Sequence, residues 1–168
     1  MPTTTGAKRV STARRALAGV LLRTPTRPNY FAGRLLTTQD FEREQEYHCH
    51  SRRRLALLAL GEGVACGLRV VSTGTKVRVS PGVAIDALGR EVVVPAPVEL
   101  TRGPADRYVA LRYAENFTDP VPTADGSVEH ACVEEGYSIV LTTAAPASTE
   151  ADPVIVLSKL PARRGKRA

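Results

Sequence analysis

Tryptophan is absent from this 168-residue chain, methionine occurs once, and aromatic residues make up only 5%. A core must therefore be built from aliphatic side chains, and a hydrophobic content of 43% is enough for one domain with tails. Cysteine is scarce as well. Cys49, Cys66 and Cys132 are odd in number and irregularly spaced, which excludes a disulfide framework and suits a reducing compartment. No run approaches the roughly 18 apolar residues that cross a membrane. The basic, alanine-rich stretch at residues 7–23 has an apolar centre, residues 16–22, too short for a secretory signal and without a convincing cleavage site. The reading is a cytoplasmic protein.

Acidic residues are missing from both ends. Residues 1–34 carry seven Lys or Arg and residues 158–168 carry five, with no acid in either. Residues 35–157 hold eleven bases against seventeen acids, a net of −6, so the overall +6 conceals an acidic body with two basic tails. Such tails favour a polyanion or an acidic partner surface, or remain solvated and disordered. Residues 11–23 could form a short amphipathic helix, and Pro25 and Pro28 mark a linker after it.

What is present is concentrated in residues 29–68. Thr37 is placed as a helix N-cap with Asp40 three residues on, as in a capping box, and Leu36 and Phe41 have the spacing of a hydrophobic staple. Acids at 40, 42, 44 and 46 precede arginines at 52, 53 and 54, the order that complements a helix dipole. Gly61 and Gly63 supply the stop. The spacing predicts a helix over residues 38–60. Its last turns, from Leu55 to Leu60, are apolar on every face, which predicts burial there. Phe41, Gln45, His48, Arg52, Leu55 and Ala59 form a stripe, polar in the middle and apolar at its ends, suited to packing against copies of the helix or a partner.

After the helix the texture changes to short strands. Residues 67–71 read as a buried strand, and Lys76-Val77-Arg78-Val79 alternates strictly. Residues 83–86 and 91–94 flank a hairpin at 87–90, where Gly89 suits a positive φ and Asp86 suits turn bonds. Residues 98–100 close this meander. Residues 107–114 alternate, 116–127 read as a long exposed loop, and Tyr137, Ile139 and Leu141 alternate again before a last strand at 154–157. The fold class is α+β: one long N-terminal helix followed by antiparallel β-meanders, with disordered basic tails. The expected division is a flexible extension at 1–28, the helical segment at 29–63, a β domain at 64–157 and a basic tail at 158–168.

Chemistry has little to stand on. His48, Cys49 and His50 are adjacent on a helix, so their side chains diverge and cannot grip one ion; His130 and Cys132 could share a strand face. Glu134 and Glu135 face opposite ways in a strand. Catalytic elbows and phosphate loops of known pattern are missing. Nucleic-acid binding wants aromatics among the bases, and only Tyr30 and Phe31, beside Arg27 and Arg34, come near that. No enzymatic role, metal or cofactor is expected.

The ordered blocks Asn29-Tyr30-Phe31-Ala32-Gly33-Arg34-Leu35-Leu36-Thr37, Asp40-Phe41, Glu44-Gln45-Glu46-Tyr47, Gly61-Glu62-Gly63-Val64, Gly67-Leu68 and Pro81-Gly82-Val83-Ala84-Ile85-Asp86 with Gly89-Arg90 carry a resemblance. So do Tyr108 to Glu115 and Glu135 to Ile139. Together they resemble small proteins encoded with phage-tail-like contractile injection systems. The resemblance spans roughly residues 29–157 and leaves both basic ends outside. It implies a structural particle component of the baseplate or a fibre-like appendage, in contact with other tail subunits and with copies of itself, assembled in the cytoplasm and open to later release. On that reading Tyr30, Phe31, Leu35 and Phe41 are packing anchors at the helix entry, and Gln45, Tyr47, His48 and Arg52 make helix–helix or partner contacts. The competing readings are a polyanion- or nucleic-acid-binding accessory protein acting through its tails, and a small metal enzyme built on residues 48–50.

Overall fold

The computed structural model describes residues 24–149 and 151–162. The tail readings at residues 1–23 and 163–168, including the short helix at 11–23, lie outside them. Helix α1 spans Thr38–Ala59. Nine strands follow among the described residues: β1 Gly63–Gly67, β2 Val70–Thr73, β3 Lys76–Val79, β4 Gly82–Ile85, β5 Glu91–Val94, β6 Val98–Thr101, β7 Tyr108–Pro122, β8 Val128–Thr142 and β9 Ile155–Lys159. They form three antiparallel three-stranded sheets, ordered β1-β4-β5, β2-β3-β6 and β8-β7-β9. The first two interleave along the chain, because β2 and β3 leave the first sheet and β4 returns to it.

One aliphatic core joins all three sheets. Leu68, Val77, Val79, Ala84, Val92, Val94, Val109, Leu111 and Leu160 are buried together, with Tyr113, Tyr137, Ile139 and Leu141 packed against them. The alternation in β3 lands as the sequence requires, Val77 and Val79 inward and Lys76 and Arg78 outward. Burial in the last sheet runs through Leu160, so the packed body continues past β9.

Three sequence expectations need correction. Residues 67–71 are not one buried strand: the chain breaks at Leu68, in the left-handed region at φ 52°, and passes from the first sheet to the second. Residues 116–127 are not a long loop. They are the outer half of the β7–β8 hairpin, whose turn is confined to residues 123–127, where the Asp125 carboxylate accepts from Thr123 Oγ1 and Ser127 N. Pro120 and Pro122 are tolerated because β9 pairs only with residues 108–111, leaving one edge of β7 free beyond them. The third concerns the helix end. Ala56 and Leu57 are buried against Ile85, but Leu55 is 66% exposed and Leu58 67%. One side of the helix docks and the other is bare.

That dock depends on the β4–β5 turn. Gly89 adopts φ +77° and lies so close to the helix that an added Cβ would sit 2.4 Å from the Arg53 carbonyl oxygen. Gly89→Ala is expected to cost about 2 kcal/mol, from the backbone conformation and from pushing helix and hairpin apart. Thermal unfolding would register the loss, and amide exchange should rise first over the end of α1.

Candidate interaction surface

The strap before the helix folds back over its first turns. Arg34 donates to the Asn29 carbonyl at 2.5 Å, pairs with the Asp40 carboxylate, and lies 5.9 Å from the Tyr30 ring centroid. Tyr30 Oη donates to Glu44 Oε2 at 3.4 Å. Further back, Thr24, Pro25 and Thr26 line a crevice of about 290 Å³ with Glu46, Tyr47 and His50. Polar contacts thus hold the strap to the helix, while its apolar side chains turn outward: Phe31 is 64% exposed and Leu35 86%.

At the helix start, the Asp40 carboxylate accepts from the Thr37 amide and from the Thr37 hydroxyl at 3.0 Å each, while the Asp40 amide donates to the Thr37 carbonyl at 3.0 Å, so the carboxylate satisfies the N-cap amide as in a capping box. The Thr37 amide bond holds the Asp40 pKa below the ordinary carboxylate range, against the opposing effect of burial, with Arg34 adding to the lowering. Because the folded value lies below the unfolded one, the cap's contribution is complete above the unfolded carboxylate pKa of about 4 and is lost as pH falls through the folded value. Acidification below about pH 4 is therefore expected to fray the first turn of α1 before the β core yields. Carboxylate NMR shifts of Asp40, followed with amide exchange at residues 38–42, would check this. Asp40→Asn should remove the pH dependence of that fraying.

The residues singled out by sequence lie on these two elements. Tyr30, Phe31, Leu35 and Phe41 are exposed around the helix entry and take no part in the buried core. Gln45, His48 and Arg52 are exposed along one side of α1, and Tyr47 is half-buried toward the strap. His48 is bonded to Glu44 at 3.0 Å and its ring meets Tyr47 edge-on, with centroids 5.3 Å apart. Arg52 reaches Glu135 of β8 at 3.9 Å. Leu36 and Phe41, spaced as a staple, are both solvent-exposed.

The sequence reading missed a second projecting element. Beyond Glu115 and Glu135 the β7–β8 ribbon leaves the core, and Phe117, Val121, Val128 and Val133 are all exposed on it. Phe117 and Val133 stand directly opposite one another in the ladder, so they share a face. At the ribbon's root, burial and a hydrogen bond from Tyr113 Oη to Glu115 at 2.9 Å raise the Tyr113 pKa well above its ordinary value and keep the phenol protonated. Exposed apolar side chains thus gather on two elements, α1 with its strap and the β7–β8 ribbon. Among the described residues no three His, Cys, Asp or Glu side chains converge as a metal site.

Comparison with known proteins places the fold. No protein-family model and no curated protein matches the sequence. A solved structure described as the crystal structure of TssK shares the fold, with a TM-score of 0.52 at 14% identity over 84% of this chain. The match covers 39% of that TssK chain, so this protein corresponds to well under half of its length. A cryo-electron microscopy structure of the TssK-TssF-TssG baseplate subcomplex of the type VI secretion system aligns with a TM-score of 0.49 at 11% identity, over 81% of this chain and 56% of that one.

Proposed function

We propose that this chain is a structural component of a contractile injection system, associated with the baseplate and acting through protein–protein contacts made by α1 and the β7–β8 ribbon. The TssK-like fold carries the reading, TssK being named as a member of the type VI secretion baseplate subcomplex. The physical character of the surface supports it. Helix and ribbon project from a small aliphatic body and carry apolar side chains that the monomer leaves in water. Self-association and contacts with other tail subunits are both part of this proposal. So is a cytoplasmic assembly stage, and no helix among the described residues is long and apolar enough to cross a membrane.

Affinity capture of the full chain from the cells that make it, followed by mass photometry and protein identification, tests the proposal. Co-purification with tube, sheath or baseplate proteins in a large particle is the expected result. An inert monomer that never brings down a tail protein would overturn it.

A further inference from the structure

Phe41, Gln45, His48, Arg52, Leu55 and Ala59 recur at alternating steps of four and three residues, the spacing of a coiled-coil seam, and all six are exposed. Among the described residues the close packing against α1 falls elsewhere, and the stripe is met only by the Arg52–Glu135 pair. Ala56 and Leu57 meet Ile85, the Arg53 backbone meets Gly89, and the strap lies along Glu46 and His50. Charge is divided along the helix. Glu42, Glu44 and Glu46 outnumber Arg43 in the first half, whereas Arg52, Arg53 and Arg54 occupy the second, where no acid follows within the helix. Asp40 is already engaged by Arg34. The long, exposed Arg52–Glu135 contact leaves Arg52 free to turn.

From these observations we infer that the bare face of α1 receives the α1 of a second copy, running antiparallel; the inference rests on the reading of the chain as a self-associating component. Antiparallel order lays each glutamate half beside the partner's arginine half, twice per dimer. It also brings Phe41 alongside the partner's Leu55 and Leu58, and leaves His48 close to the two-fold axis. The contact is isologous and therefore closed. Parallel order would set Arg52 against Arg52 and Glu44 against Glu44, which like-charge repulsion disfavours. The chain's own residues 1–23 are a poorer occupant, because their five bases and absence of acids repel the arginine half. A helix of about 33 Å meeting its copy is a modest contact, so a dimer of micromolar strength suits the length.

Sedimentation velocity of the full chain up to about 100 µM should show a monomer–dimer equilibrium. Glu44→Arg and Arg52→Glu should each weaken the dimer about tenfold, since the pair occurs twice, and the combined E44R/R52E chain should return to within about threefold of the parent. Arg52 is solvent-facing and Glu44 partly exposed, its contacts to Tyr30 and His48 lying at the surface, so unchanged helical circular dichroism should accompany the weakening. Orientation has its own readout. With Cys49, Cys66 and Cys132 replaced by serine, Phe41→Cys and Leu55→Cys chains mixed under mild oxidation should form the mixed disulfide, and neither should cross-link to itself. A monomer throughout, a trimer, or F41C self-cross-linking would overturn the antiparallel pair. Failure here with tail proteins still captured would remove the helix pairing and leave the baseplate reading standing. A charge-swappable dimer that captures no tail protein would do the reverse.

Discussion

Gly67→Ala is expected to destabilise the protein by about 4 kcal/mol, a severe loss against the 5–15 kcal/mol typical of a whole domain. Two effects combine at this position. Gly67 sits at φ +63°, where any side chain is strained, and its Cβ would lie 2.1 Å from the Pro81 carbonyl oxygen. The opposite glycine is equally confined, since a Cβ on Gly82 would meet the Cys66 carbonyl oxygen at 2.3 Å. Here β1 and β4 meet backbone to backbone, and the Leu68 amide donates to Pro81 O at 3.1 Å. Leu68 itself holds a left-handed backbone at a cost of roughly 1–2 kcal/mol, offset by burying a side chain worth about 1.5–3 kcal/mol. No flexible side chain can yield to the added methyl, so the first sheet would have to open. Guanidinium unfolding should show a lower midpoint at an unchanged slope. A loss below about 1 kcal/mol would mean that the backbones at this crossing can move apart to admit a methyl group.

The second large effect is expected at Asp86, which is 1% exposed. Its carboxylate accepts from Leu88 N and Arg90 N at 2.9 Å each and from Arg90 Nε at 2.6 Å. The Gly89 amide donates to its backbone carbonyl at 2.9 Å. Asp86→Ala strands two amides and a largely buried guanidinium, which places the loss at about 3 kcal/mol. Asp86→Asn keeps an acceptor for the turn and should lose about half as much. The damage should travel. Arg90 lies 4.3 Å over the Tyr113 ring, and the same turn presses Gly89 on the helix, so one carboxylate orders the junction of α1, the first sheet and β7. Chemical denaturation of the two variants, with amide exchange at residues 53–59 alongside, checks both magnitude and spread. Equal stability of D86A and the parent would contradict this role.

Local signals proved readable wherever they acted alone. The Thr37–Asp40 box and the glycines after Leu60 set the helix within a residue, and the alternation at Lys76 to Val79 set both strand and facing. Gly89 and Asp86 take the turn roles that their types suggest. Misreadings arose where a long-range partner overrode a local cue. Prolines at 120 and 122 read as loop because nothing local reveals that β9 ends early and frees the edge of β7. An apolar run at Leu55 to Leu60 read as buried all round, yet among the described residues it is Ala56 and Leu57 that are buried, against Ile85. The break at Leu68 carries no mark in sequence, since leucine rarely adopts that backbone and is held there by the core. The stripe from Phe41 to Ala59 was legible as a pattern, and the structure adds that the monomer leaves it uncovered. The exposed Phe117–Val133 face was invisible without the ladder that pairs them.

Side-chain footprinting by carbene labelling tests whether this protein works through its two projecting elements. The full chain would be labelled alone at high dilution and again within the captured particle. Strong protection in the particle is expected at Phe41, Leu55 and Leu58 on the helix and at Phe117 and Val133 on the ribbon, with the outward face of β3 unchanged. Equal labelling of helix and ribbon in both states, or protection confined to the small sheets, would contradict it.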